Sequence, residues 1–209
     1  MKRISNRTVI SDDAPPEISF SEFSDGLSDL RALTFGVRET EYLEFDDIQP
    51  YQREYGRCIS KSDAESGIAF DPIVDTGDED HVTPNNACSL GYAHTHLPRR
   101  RGIEQPGFSP RDYQAVLESR SAFELVCSGN GVAGLVELQD ISHPTKAFAP
   151  TGRTIFLRQK LEGDLARLDA VSSTNAEYEE VFLQWNRAIS RRLGWQFYFG
   201  SWQMPIVRM

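Results

Sequence analysis

The chain has 209 residues, of which 39% are hydrophobic and 25% charged, a composition typical of one globular domain or one domain with an appendage. Its formal net charge of −9 argues against nucleic acid as the main partner, because contact with phosphates needs a concentrated positive surface. No apolar run approaches the length that spans a bilayer, and no apolar stretch follows Lys2 and Arg3 as in a signal peptide. We therefore expect the cytoplasm as the default location, with signal-independent export left open.

The first half of the chain is predicted to hold one helix and three strands. Residues 1–18 indicate a loosely ordered arm or an edge segment. Apolar residues then recur at intervals of three and four from Ser19 to Leu33, which predicts a helix. Residues 55–60 and 67–74 are typical of a hairpin of two strands, and residues 88–96 of a third strand.

The second half is predicted to alternate between helical and strand patterns. The pattern predicts a helix over Ser109–Arg120, followed by a hairpin of strands 122–128 and 132–138 whose turn contains an Asn-Gly signal. Two amphipathic helices are predicted next, over Thr154–Val171 and Asn175–Leu193, and their short connection indicates antiparallel packing. An aromatic, strand-like tail begins at Trp195.

The cysteines and two of the histidines carry no motif. Cys58, Cys88 and Cys127 lack C-x-x-C spacing, and we interpret them as buried inert thiols rather than a disulfide framework. His81 lies in an acidic loop and His143 precedes a proline in a linker, so both are interpreted as surface residues.

The pair His94-Thr95-His96 is the strongest chemical signal in the chain. Side chains at i and i+2 of a strand point to the same face, so two imidazoles can be aimed at one metal ion. Asp112 is the best third ligand, because it lies one turn into the helix that follows. Ser109 and Asp112 also fit a helix cap, since a serine before proline with an acid three residues on is a helix-start signal. The two interpretations are compatible.

A hydrolytic metal site also needs a carboxylate that accepts a proton from water. The acidic upstream half of the chain offers several carboxylates, and spacing alone does not choose among them.

The combination of these segments resembles a known motif. The JAMM motif of the JAB/MPN metalloprotease family resembles three segments of this chain taken in order: Glu54-Tyr55-Gly56, Gly91-Tyr92-Ala93-His94-Thr95-His96 and Ser109-x-x-Asp112. Their residue pattern is similar to the bacterial branch of the family that is found in toxins and conflict systems. The resemblance covers roughly residues 50–140.

The resemblance assigns a role to each of five residues. It implies that His94, His96 and Asp112 bind one Zn²⁺ per chain. It also implies that Glu54 orients and deprotonates the water, and that Ser109 donates a hydrogen bond to the oxyanion. Glu44 and Glu65 are rivals of Glu54 for the role of base, and Glu54 is preferred because it directly precedes an apolar strand.

The chain departs from the family pattern just after the histidines. Leu97 stands between His96 and Pro98, where the family usually has proline, and the loop to Ser109 is long. These departures concern the shape of the substrate groove more than the metal site. Arg99-Arg100-Arg101 in this loop is interpreted either as a solvated loop or as a rim that contacts substrate.

The expected fold is α+β, a cytidine-deaminase-like mixed curved sheet flanked by helices, as the JAB/MPN resemblance implies. We expect an N-terminal arm and helix over residues 1–36, a JAB/MPN-like core over residues 37–140, and a C-terminal helical pair with the aromatic tail over residues 141–209. This last part is expected to pack on the core as an appendage.

The implied function is a JAMM-type zinc metalloprotease that hydrolyses a peptide or isopeptide bond through a zinc-activated water. One alternative is an effector or toxin hydrolase whose target is not ubiquitin-like. Another is a non-catalytic JAB-fold scaffold, against which the presence of all five residue types argues. We expect a protein or peptide substrate, no nucleic acid and no membrane partner, while the C-terminal helices either bind a protein partner or simply cover the core.

Overall fold

The structure is a computed structural model. It describes residues 17–18, 27–31, 54–61, 68–75, 88, 91–96, 105–119, 123–137, 151–172, 174–202, 204 and 206–209.

Nine strands and four helices are found within these residues. In chain order they are β1 (Glu17–Ile18), α1 (residues 27–31), β2 (Tyr55–Lys61), β3 (Ile68–Phe70), β4 (Val74–Asp75), β5 (Gly91–Thr95), α2 (Pro110–Ser119), β6 (Phe123–Cys127), β7 (Gly131–Glu137), α3 (Thr151–Val171), α4 (Asn175–Arg192), β8 (Trp195–Ser201) and β9 (Ile206–Arg208).

All nine strands belong to one mixed sheet. Its order is β1-β9-β8-β7-β6-β5-β2-β3, with β4 also paired to β2. Strands β5 and β6 are parallel, and every other described pairing is antiparallel. A parallel pair needs a crossover connection, and α2 lies within the one that joins β5 to β6. The mixed α+β class predicted from the sequence is therefore confirmed.

Side chains on the two faces of the sheet form separate cores. One core packs α1 against the sheet and contains Leu27, Leu30, Ile59, Ala93, Leu125, Cys127, Val132, Tyr198, Trp202 and Ile206. The other packs α2, α3 and α4 against the opposite face and contains Phe108, Tyr113, Val116, Val126, Ala133, Leu161, Ile189, Trp195 and Phe197. Because side chains alternate along a strand, neighbours such as Leu125 and Val126 belong to different cores.

Most predicted local elements agree with the structure, but the strand predicted over residues 67–74 is divided into β3 and β4, which both pair with β2. The hairpin of β6 and β7 is confirmed, with Gly129 and Asn130 between hydrogen bonds that link Ser128 and Gly131 in both directions. Helices α2, α3 and α4 are confirmed, and α1 lies inside the predicted N-terminal helix. Strand β1 pairs with β9 at the edge of the sheet, as one interpretation of the arm anticipated.

The aromatic tail is not an appendage, and this expectation was wrong. Trp195–Ser201 forms β8 and pairs with β7 along the full length of Gly131–Glu137. The tail is therefore an interior strand of the sheet. A Cβ at Gly131 would run into the backbone of Gly200, so glycine is required where these two strands approach each other.

The expectation of three free thiols was also wrong. Cys58 and Cys88 form a disulfide, with their Cα atoms 5.0 Å apart. Cys58 lies on β2, and Cys88 lies just before β5, the strand that pairs with β2. Sequence spacing does not reveal a pairing between neighbouring strands. Cys127 is free and buried, as predicted.

Several predictions fall outside the described residues. They concern most of the N-terminal arm, Glu44, Glu65, His81, the departure at Leu97, the arginine cluster Arg99–Arg101 and the linker around His143. In the described part of the chain, no helix is long and apolar enough to cross a membrane.

Candidate metal centre

The end of strand β5 and the residue that follows it aim two imidazoles at one point. His94 and His96 lie on the face of the sheet that α2, α3 and α4 cover, and both side chains are buried. Their Nε2 atoms are 3.3 Å apart. The intervening Thr95 faces the other way, where its Oγ1 accepts a hydrogen bond of 2.9 Å from the backbone N–H of Tyr55. The i, i+2 alternation of a strand thus produces the arrangement that the sequence predicted.

Helix α2 brings a carboxylate to the same point. Asp112 Oδ1 lies 3.3 Å from His94 Nε2, and Asp112 Oδ2 lies 3.0 Å from His96 Nε2. One ligand atom from each of the three residues lies within 4.8 Å of the others. The group could therefore hold a metal ion.

The start of α2 explains how Asp112 reaches this position. Ser109 Oγ accepts a hydrogen bond of 3.3 Å from the backbone N–H of Asp112, and an Asp112 carboxylate oxygen accepts one from the backbone N–H of Ser109. This reciprocal pair is a capping box, which fixes both residues relative to the first turn. The capping role and the metal-facing role predicted for Asp112 occur together in the structure. Ser109 Oγ acts as an acceptor in the cap, so its O–H remains available as a donor.

The buried cluster holds a tightly coupled ion pair. Burial by itself raises the pKa of Asp112, but the imidazoles of His96 and His94 outweigh burial and hold that pKa well below its usual value. Burial by itself lowers the pKa of His96, but the charge of Asp112 and the hydrogen bond to it outweigh burial and raise that pKa to about 9. The ligand oxygen is therefore anionic in the folded protein, as a divalent cation requires.

Strand pairing places Glu54 beside the histidines. Gly56 pairs with His94 across β2 and β5, and the same register continued by two residues sets Glu54 opposite His96. Directly opposed residues of an antiparallel pair share a face. Consistent with this position, the charge of Glu54 contributes to the raised pKa of His96 and of Tyr92. Glu54 is half-buried, whereas Glu44 and Glu65 lie outside the described residues.

Two further residues on this face were not singled out from the sequence. Tyr92 precedes His94 by two residues, and the two rings stack with their centroids 5.7 Å apart. Glu124 lies in register with Tyr92 on β6 and is 1% exposed. Burial, followed by the charges of Glu124, Glu54 and Asp112, raises the pKa of Tyr92. Both residues had a signal in the sequence. Tyr92 lies two positions before His94 on a predicted strand and so shares its face, and Glu124 is an acid within an otherwise apolar strand.

A third missed residue lies on α4. Asn186 is fully buried and is hydrogen-bonded to residues on both sides of Ser109 and Asp112. Its sequence signal was a polar residue four positions after Phe182 on the apolar face of the predicted helix.

No protein-family model, no curated protein and no solved structure matches the chain. What can be said about function therefore rests on the residues and their geometry.

Proposed function

We propose that the chain is a JAMM-type zinc hydrolase that cleaves a peptide or isopeptide bond. The observation that carries the proposal is the convergence of His94, His96 and Asp112 from two separate elements on one buried point. Glu54, which directly precedes a third element, β2, lies opposite His96 when the register of β2 and β5 is continued, and its charge contributes to the raised pKa of His96.

The donor set favours zinc. Two imidazole nitrogens and one carboxylate oxygen form the three-ligand set of many catalytic zinc sites, in which a fourth position stays open. A bound zinc ion would supply Lewis acidity, which polarises a carbonyl and lowers the pKa of water. Residues His94, His96 and Asp112 would hold the ion.

The roles proposed for Glu54 and Ser109 follow from their positions. Glu54 is half-buried next to His96, where a carboxylate can take a proton from a water molecule and pass it to a leaving amine. Ser109 accepts the capping hydrogen bond at Oγ, and its O–H can donate to an oxyanion that develops on the substrate.

The layout supports the JAMM-type assignment over a generic metal site. The histidines lie at the end of a strand, and the crossover that leads to the parallel neighbour strand carries the Ser-x-x-Asp segment at the start of its helix. The glutamate precedes the antiparallel neighbour on the other side. This order matches the motif that the sequence resembles.

Metal analysis tests the proposal first. Protein purified without chelator should contain about one zinc ion per chain. His94→Ala and Asp112→Ala should abolish it, while His143→Ala, which alters a histidine outside the motif, should retain it. Wild-type protein with near-zero metal, or with equal metal in all variants, would contradict the zinc site.

The Glu54→Gln variant tests the hydrolytic role. It should bind zinc like the wild type but lose about 10²–10⁴-fold in hydrolysis, the usual contribution of general acid–base catalysis. Substrates can be identified by mass spectrometry of proteins trapped on this variant. Zinc binding without hydrolysis of any trapped protein by the wild type would favour the scaffold alternative, and full activity of Glu54→Gln would assign the base to another carboxylate.

A further inference from the structure

Asn186 is a fully buried polar residue that joins the C-terminal helices to the start of α2. Its Oδ1 accepts hydrogen bonds from the backbone N–H of Phe108 at 2.9 Å and from the hydroxyl of Tyr113 at 3.0 Å. The Tyr113 hydroxyl also lies 3.1 Å from the backbone oxygen of Asn186. These contacts span 78 and 73 residues of sequence.

The two partners of Asn186 bracket the candidate metal centre. Phe108 directly precedes Ser109, and Tyr113 directly follows Asp112. One side chain on α4 therefore holds both ends of the capping box from which the Asp112 carboxylate points at the histidines.

The amide of Asn186 is fixed in one orientation. Its Nδ2 donates a hydrogen bond of 3.1 Å to the backbone oxygen of Phe182, within α4. A reversed amide would present a donor to the N–H of Phe108, so the network permits one orientation only. The fit is close, since a Cβ at Gly107 would come within 2.7 Å of Asn186 Nδ2.

We propose that Asn186 is a positioning residue of the metal centre. Through Phe108 and Tyr113 it fixes the first turn of α2, and so the direction of Asp112 relative to His94 and His96. The C-terminal helices are then part of the metal centre rather than a cover for it. This inference rests on the metal binding in the proposed function, but not on the hydrolysis.

The physical reason is that the ligands come from two independent elements. His94 lies on the interior strand β5, which is paired on both sides, and His96 follows that strand directly, with its backbone N–H bonded to the backbone oxygen of Cys127 at 2.8 Å. Asp112 lies on a helix, and a small rotation of its first turn would move the carboxylate away from both Nε2 atoms. Loss of a partner that orients a ligand typically costs 10–100-fold in metal affinity.

The test compares Asn186→Leu with a variant of a buried residue whose described cluster contains no residue of α2. Asn186→Leu keeps the approximate volume and removes Oδ1, the one side-chain atom that accepts both hydrogen bonds. Leu165→Ala is the matched control, because Leu165 is buried against α4 in the separate cluster with Tyr178 and Phe182. Both variants should lower the free energy of unfolding.

The readouts are zinc affinity, measured by competition with a chromogenic chelator, and the visible absorption spectrum of cobalt(II) bound at saturation. Asn186→Leu should weaken zinc affinity by about 10–100-fold and change the cobalt spectrum. Leu165→Ala should keep both readouts at wild-type values, and Asn186→Asp, which retains the acceptor Oδ1, should recover part of the affinity.

Wild-type zinc affinity and cobalt spectrum in folded Asn186→Leu would overturn the inference. If Asn186→Leu does not fold, Tyr113→Phe replaces it. That variant removes the hydroxyl contacts alone and should give a smaller loss of affinity, whereas unchanged affinity would again overturn the inference. Absence of zinc from the wild type would instead overturn the proposed function, so the two failures are distinguishable.

Discussion

The ion pair of His96 and Asp112 gives the metal-free protein a distinctive dependence on pH. The pKa of His96 is raised from 6.5 to about 9, so its charged form contributes stability that is fully present below pH 6.5 and is lost as pH rises through 9. The pKa of Asp112 is lowered, so its contribution is present above its ordinary value of 3.8 and is lost as pH falls. The stabilising contribution of the pair is therefore complete between these two ordinary values, and the pair itself stays charged in the folded protein until the pH approaches 9.

We expect the free energy of unfolding of the chelator-treated protein to fall between pH 6.5 and 9. Urea unfolding at intervals across this range measures it. Asp112→Asn should flatten the profile, because the neutral amide no longer favours the imidazolium. A wild-type profile as flat as that of the variant would contradict the coupled pair.

Zinc affinity should change with the opposite sign over the same range. A metal ion must displace the proton from His96, so affinity increases as pH rises toward 9.

Residues whose partners are local could be predicted from the sequence, whereas those with distant partners could not. The capping box of Ser109 and Asp112 spans three residues, and the two histidines are separated by one, so their arrangement follows from helix and strand geometry. Glu54 could be placed only once the register of β2 and β5 was known. Asn186 finds its partners more than 70 residues away, and no local pattern encodes them.

At the scale of elements, the sequence predicted most helices and strands but not which strands are neighbours. Apolar periodicity states which face of a strand is buried, and it is silent about the strand beside it. The aromatic residues of β8 were therefore recognised as strand-like, yet their place beside β7 inside the sheet was missed.

The pairing of β2 with β5 also brings Cys58 and Cys88 together, and thiol counting tests this pairing. Burial raises the pKa of the Cys127 thiol and shields it, so native protein should expose no reactive thiol. Ellman's reagent should detect one thiol after denaturation without reductant and all three cysteines after reduction. Three thiols without reductant would contradict the disulfide.

Loss of the disulfide should lower stability without rearranging the sheet. The bond closes a sequence separation of 30 residues, and removal of a cross-link of this size costs about 2–4 kcal/mol. Urea unfolding of the Cys58→Ser, Cys88→Ser double variant measures this cost. The Cys127 thiol should remain unreactive in that native double variant, since its burial depends on β6 and not on the cross-link.

At the scale of the molecule, α3 and α4 form an insertion between two neighbouring strands of one sheet. The chain leaves the sheet at the end of β7 and returns in β8, which pairs with β7 itself. The core on this face combines side chains of α2, α3 and α4 with side chains of β6, β7 and β8. A contiguous core of this kind favours unfolding in one cooperative step.

Two natural probes in different parts of the chain test this cooperativity. Trp185 lies in the helical insertion and the other two tryptophans, Trp195 and Trp202, follow it. The free thiol of Cys127 lies before the insertion, in β6. Tryptophan fluorescence and Cys127 labelling should give the same urea midpoint. Leu165→Ala, a cavity variant in the helical pair, should cost about 2–5 kcal/mol and move both midpoints equally. A shift in fluorescence alone would instead mean that the C-terminal helices unfold as a unit separate from the strands that carry the histidines.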